Sequence, residues 1–244
     1  MSEIIEILKN DIEYYSGAGK AYLSNSDIGT LLDNPMAFGR SRPDNKSFAE
    51  GRFFHQLLIE PDKAMNVKYI DTSSRLTKEY KNYCETNNLD FCLLKKELDD
   101  IKNLSYAMRS NLSFYEEIYK EGNVYEQPGV AKIKGLMWKG KADIITDTHI
   151  IDLKTTGDIN KFKYSAKSYN YDSQCYIYQA LFGKPLVFFV IDKGTQQLGM
   201  FHPTDNFIRG GEAKVERAVE VYNKFYGKNK TEDINTYFIN EELD

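Results

Sequence analysis

The sequence predicts an α/β fold: a mixed central β-sheet that carries one antiparallel hairpin and is flanked by helices. Three observations predict it. Stretches before residue 120 repeat their apolar positions at helical spacing; residues 122–155 switch to strand segments divided by glycines and a polar turn; residues 158–227 return to helix, two strands and helix. A run of helices, a meander, a helix and further strands indicates a sheet with helices packed against it.

In chain order, Ser24 opens a helix in SNSDIGTLLDNP, with Asp27 as its capping-box partner and Pro35 closing it. A second helix covers about 47–60, SFAEGRFFHQLLIE, and ends at Pro61. Phe53, Phe54, Leu57 and Leu58 share one of its faces, and Phe48, Arg52, His55 and Ile59 nearly the opposite one, so it is expected to be sandwiched. Residues 75–120 read as two or three helical pieces with polar faces. Strands follow in NVYEQPG, VAKIKG, LMWKGKADIIT and HIIDLKTT. Helices return near 158–183, the first capped by Asp158 after a glycine turn. PLVFFVID and QLGMFH are two more strands, and an amphipathic helix covers about 205–227. We read residues 1–244 as one domain: an N-terminal extension (1–22), a mainly helical part (23–120), the sheet with its helices (121–203), and a C-terminal helix and tail (204–244).

Composition narrows the class. With 41% hydrophobic and 28% charged residues and six prolines, the chain is globular rather than disordered. No run approaches the length of a membrane span, and MSEIIEILKNDIEYY carries acids where a signal peptide needs basic residues, so a cytoplasmic protein with no membrane partner is expected. Cys84, Cys92 and Cys175 are too few and too scattered for a disulfide framework or a four-thiolate metal site. A net charge of -4 gives no general attraction to phosphates, so any nucleic-acid site must be local or neutralised by cations. SGAGKAYLS fails as a phosphate loop, because Tyr14 and Ala21 stand where a Walker A motif needs glycine and Ser or Thr.

The chemistry gathers at KADIITDTHIIDLK, which invites folding as a hairpin over Asp147 and Thr148. A loop of two or four residues pairs Thr146 with His149 and places Asp143 opposite Asp152; a loop of three shifts that register by one. Like charges facing each other across a ladder are destabilising unless something positive lies between them. Two carboxylates with waters suit Mg²⁺ or Mn²⁺ rather than Zn²⁺. Lys154 shares the face of Asp152, while Ile151, Leu153, Ala142 and Ile144 take the other. This set fits phosphodiester hydrolysis, in which a cation acidifies water and the ammonium orients that water or, if its pKa is depressed, takes its proton. Asp152 and Lys154 alone also fit a surface ion pair.

GKADIITDTHIIDLKTT resembles the active-site core of the PD-(D/E)xK nuclease superfamily, and more closely its exonuclease VIII (RecE-like) and RecB-like branch. Three further stretches are similar to that branch in the same order. EGRFFHQLLIEPD is similar to its G-x-x-x-H helix followed by L-x-E-P, with Gly51, His55, Glu60 and Pro61 at the matching places; RLTKEYK to its R-x-T-K segment; SQCYIYQALFG to its Q-x-x-x-Y helix, with Gln174 and Tyr178. YLSNSDIGTLLDNPMAF and IRGGEAKVERAVEVYNKF are similar to its opening and closing helices, so the resemblance spans roughly 22–227. It implies a restriction-endonuclease-like core and a Mg²⁺- or Mn²⁺-dependent exodeoxyribonuclease on linear duplex ends, in phage-type recombination or repair. It also implies His55, Asp143 and Asp152 as metal ligands, Lys154 positioning or activating water, and Gln174 and Tyr178 at the site and the nucleic-acid backbone. Glu126 resembles an acid that some members place near the site, with Pro128 blurring its register. Relatives with an iron-sulfur cluster hold it with four cysteines, so none is expected here. Beyond DNA, the partners in view are a single-strand annealing protein and further copies of the chain. The alternatives are a non-catalytic DNA-binding module with the same fold, or an endonuclease of the same superfamily.

Basic residues gather at Arg40, Arg42, Lys46 and Arg52 and again at Lys161, Lys163 and Lys167, next to the site elements. Both clusters are placed to track a phosphate backbone, with Tyr164, Tyr169 and Tyr171 available for stacking. A solvated charged face is the competing reading of the second cluster.

Overall fold

The structure, a computed structural model, describes residues 2–41 and 43–240; Arg42 of the first basic cluster lies outside the described residues. Two short helices, α1 (Ser2–Leu8) and α2 (Asp11–Tyr15), occupy the N-terminal extension and are not foreseen from the sequence. α3 (Asn25–Asp33) begins as its capping box requires, the Ser24 N–H donating to Asp27 Oδ2 at 2.7 Å. α4 (Lys46–Ile59) is capped by Asn45 and stops before Pro61, which opens α5 (Pro61–Met65). The next helical stretch resolves into α6 (Lys78–Thr86), α7 (Lys95–Ser110) and α8 (Leu112–Ile118). The two-residue strands β1 (Tyr69–Ile70) and β2 (Leu93–Leu94) pair in parallel beside them.

The main sheet follows with β3 (Val124–Ile133), β4 (Leu136–Ile145) and β5 (Ile150–Thr156). After α9 (Phe162–Ser168) and α10 (Tyr171–Phe182) come β6 (Leu186–Asp192), β7 (Leu198–Phe201) and α11 (Asp205–Phe225). Its order is β3-β4-β5-β6-β7, with β5 and β6 parallel and the other neighbours antiparallel. The helical crossover through α9 and α10 is what a parallel pair demands. NVYEQPG and VAKIKG, read as two strands, are one: β3 passes through Pro128, which an edge strand tolerates.

Helices cover both faces of the sheet. Ile28 and Leu31 of α3, Ile177 of α10 and Val215 and Ala218 of α11 pack with Trp138, Phe188 and Val190. On the other face, Phe53 and Phe54 of α4 and Ile101 and Met108 of α7 pack with Ile144, Ile151, Leu153 and Phe189. α4 thus packs against β5 and α7, but the expected second apolar face is covered only in part, since Phe48 and Arg52 at its start are exposed. Among the described residues no helix is long and apolar enough to cross a membrane.

Two local features position the site. Gly129 and Gly140 are register partners, and a Cβ on either would meet α10, at 2.6 Å from Phe182 or 2.7 Å from Leu181. α10 can approach the sheet there only because neither strand has a side chain. The second feature is a parting of strands. The Thr146 N–H donates to the His149 carbonyl at 2.9 Å across the two-residue turn, so the register is the one that aligns Asp143 with Asp152. The ladder nevertheless ends after Ile145↔Ile150 and Ile144↔Ile151, and β4 turns away from β5 beyond it. Ala142 therefore joins the core on the α10 side while Ile144 packs on the α4 side, instead of sharing one face.

Candidate active site

Where β4 and β5 separate, buried backbone groups lose their strand partners and must find others. Side chains from three elements supply them. The Leu153 N–H donates to Asp143 Oδ2 at 2.8 Å, the Leu153 carbonyl accepts from His55 Nε2 at 2.7 Å, and the Lys141 carbonyl accepts from the Tyr178 hydroxyl at 2.9 Å. The gap in the sheet and the cluster of expected site residues are thus one feature, held open by β4, α4 and α10.

His55, Glu126 and Asp143 meet here, one ligand atom from each lying within 4.8 Å of the others. His55 Nε2 must carry a proton to bond the Leu153 carbonyl, which turns Nδ1 toward Asp143 Oδ2 at 3.4 Å. Glu126 occupies the β3 position opposite Asp143, between the rungs Tyr125↔Ile144 and Gln127↔Ala142. Its φ of 48° is a left-handed conformation that costs a non-glycine residue energy and breaks the ladder at that rung.

Charge explains how such a cluster is tolerated. Burial, with Asp143 and Glu60 nearby, pushes the Glu126 carboxyl up to about 8. Burial disfavours a charged His55, but the Asp143 carboxylate outweighs it and raises the imidazole to about 9. Burial likewise opposes an ionised Asp143, yet His55 holds it below the ordinary carboxylate value. At neutral pH the cluster therefore keeps protons on His55 and Glu126 that a cation would replace. One imidazole nitrogen and two carboxylates, with the imidazole fixed by its other nitrogen, fit a divalent cation.

Asp152 stands beside this triad rather than in it. Its Oδ1 accepts from Gln174 Nε2 at 2.5 Å, and its buried Oδ2 lies 2.5 Å from Lys154 Nζ, off the angle of a hydrogen bond. Burial, with Asp143 next, raises the Asp152 carboxyl despite Lys154. Burial alone would lower Lys154, but Asp152 outweighs it and holds the ammonium well above the ordinary lysine value. A depressed pKa, which proton abstraction by Lys154 needs, is the opposite of this arrangement.

The expected set of His55, Asp143 and Asp152 is thus arranged as His55, Glu126 and Asp143 with Asp152 adjacent. Glu126 had a usable signal, since a two-residue Lys134-Gly135 turn pairs Ile133 with Leu136 and carries Glu126 to Asp143. Two more residues went unread. Lys141 shares the strand with Asp143 and is buried, 2.6 Å from Asp11 Oδ1 of α2 and 3.9 Å from Glu126. Tyr14, also of α2, puts its ring 4.7 Å from the same ammonium.

The expected DNA-binding residues lie outside this cluster. Arg52 is exposed on α4 and pairs with Asp44. Lys161 precedes α9 and pairs with Asp158 at 3.2 Å, and Lys163 on α9 lies 4.9 Å from the Tyr164 ring. Arg75, of the R-x-T-K segment, is taken up within the fold by a two-armed bond to Glu97 and by the Phe91 ring at 4.4 Å.

A family model described as "PDDEXK-like domain of unknown function (DUF3799)" matches residues 36–233. Among solved structures, a protein from Eubacterium rectale proposed to be an exonuclease is similar at a TM-score of 0.64 and 17% identity, covering 96% of this chain and 96% of that one. At that identity the likeness is one of fold. The structure of the protein SSO0001 is similar at a TM-score of 0.33 and 14% identity, over 80% of this chain and 84% of that one, and carries no argument. No curated protein matches.

Proposed function

Because this chain belongs to the PDDEXK-like domain family of unknown function (DUF3799), we propose that it is a metal-dependent deoxyribonuclease, and in particular an exonuclease on linear duplex ends of the RecE-like kind. The observation that carries the reading is the juxtaposition of His55, Glu126 and Asp143 at the β4–β5 gap with the Asp152–Lys154 pair beside them. His55 Nδ1, Glu126 and Asp143 would hold a hard divalent cation such as Mg²⁺ or Mn²⁺. That cation would supply positive charge against the phosphoryl oxygens and an acidified water.

The chain's own residues do the rest. Gln174 fixes the Asp152 carboxylate, which in turn fixes Lys154 as a donor. Lys154, whose ammonium Asp152 holds above the ordinary lysine value, orients water or a phosphate oxygen rather than accepting a proton. Hydrolysis forms one P–O bond from water and breaks one to the sugar oxygen, whose developing charge Lys154 and the neighbouring donors are placed to offset, as a bound cation would also do. The fold neighbour proposed to be an exonuclease supports the end-directed form of the reading, as does the RecE-like resemblance, which also brings an annealing protein as partner.

The test compares linear with covalently closed duplex DNA in Mg²⁺, in Mn²⁺ and in EDTA. Linear DNA alone should be degraded, and only with the cation. Asp143→Asn and Lys154→Met should lose about 100-fold or more in rate with the melting transition retained. Folded variants that cut at the wild-type rate would sink the nuclease reading, and cutting of closed circles would replace the exonuclease with an endonuclease.

A further inference from the structure

Tyr169 is 66% exposed at the junction of α9 and α10. Its ring lies 5.8 Å from that of Tyr171 at an interplanar angle of 40°. The Tyr171 ring in turn sits 4.8 Å from Lys154 Nζ. A short path of aromatic faces thus runs from solvent to the charged end of the site. Asn170, between the two tyrosines, is left-handed at φ 58° and ψ 34°, a conformation that asparagine accepts more readily than other residues with a side chain. It is pinned by three elements: Asn25 Nδ2 and Ser173 Oγ donate to its carbonyl at 3.0 and 2.9 Å, and Lys214 Nζ donates to its Oδ1 at 2.8 Å. These bonds fix the turn, and with it the placement of one tyrosine beside the other. Lys163 and Lys167 on α9, one turn apart and exposed, add positive charge alongside.

We propose that Tyr169, backed by the core-packed Tyr171, forms a base-stacking subsite for unpaired nucleotides of a DNA strand whose backbone enters the site at Lys154. The inference rests on the nuclease reading for its substrate and goes beyond it in assigning a frayed or single-stranded terminus as the form engaged. Stacking on an aromatic face needs no particular base, and lysines beside it follow the backbone.

The chain's one tryptophan, Trp138, is fully buried, so Tyr169→Trp places a single exposed indole at the subsite. Its fluorescence should be quenched saturably by oligo-dT, in EDTA and in calcium, and far less by a blunt duplex of equal length. Tyr169→Ala should weaken oligo-dT binding about 5- to 100-fold, whereas Tyr169→Phe, which keeps the ring, should bind as the wild type does. An unquenched indole, or wild-type oligo-dT affinity in Tyr169→Ala, would overturn the subsite even in a protein that cleaves DNA. Binding through Tyr169 by a wild type that cleaves nothing would uphold the subsite and remove the nuclease reading.

Discussion

Among the described residues, Asp192 organises more backbone than any other carboxylate outside the site. Buried at the end of β6, it accepts from the N–H groups of Gly194 and Thr195 on Oδ1, at 2.8 and 2.9 Å, and from Ile159, at the approach to α9, on Oδ2 at 2.9 Å. Burial would raise its pKa, but the donated N–H groups outweigh it and hold the carboxyl below its ordinary value. A depressed folded pKa means that the stabilisation is complete above the unfolded value, roughly 4, and is lost as pH falls through the folded one. Asp192→Asn, which sets an amide against the Ile159 N–H, should cost about 1–3 kcal/mol at pH 7. Denaturant unfolding should show that difference shrinking as pH is lowered toward about 3. At this scale, reading the sequence worked where geometry is periodic. Asp152 and Lys154 are tied by the two-residue repeat of a strand, and Asp143 by the hairpin count. It did not reach Asp11 at Lys141, which is 130 residues away in sequence, because a contact made by tertiary packing leaves no local periodicity.

Among elements, α10 lies close on the paired glycines of β3 and β4. A methyl group at Gly140 would come 2.8 Å from the Tyr178 ring, whose hydroxyl holds the Lys141 carbonyl. Gly140→Ala should therefore lift α10 and destabilise the fold by about 1–3 kcal/mol. A melting temperature lower by roughly 2–10 °C, together with slower DNA cleavage as Gln174 retreats from Asp152, is the expected result. Helices with a strong stop or cap were legible at this level: Ser24 and Asp27 start α3, and Pro61 ends α4. The shortest were not, even where a cap is present, as Asn10 caps α2. α1 and α2 have seven and five residues, too few to be stable alone, and owe their existence to what they pack on. The parting of β4 from β5 was also hidden, because a register count assumes that a ladder continues until a turn interrupts it.

Across the whole molecule, the family match starts at residue 36 and leaves α1 and α2 outside it. They are nonetheless fastened to the body. Asp11 bridges Lys63 of α5 and Lys141 of β4 at 2.5 and 2.6 Å, and Leu8 and Tyr14 pack on Val130 of β3. Lys139 of β4 also donates to the Tyr14 carbonyl. β3 is an edge of the sheet, and its own safeguards, the Glu126 kink and Pro128, protect only its first half. α1 and α2 cover the face of the β3–β4 hairpin that carries Val130, Lys139 and Lys141. Deleting residues 2–22 should lower the melting temperature and make the protein self-associate, visible as rising light scattering with concentration. These two small helices thus act as a guard on solubility: without them, Val130 and the aliphatic stems of Lys139 and Lys141 would stand bare on the face of the sheet, a surface on which a second chain could settle.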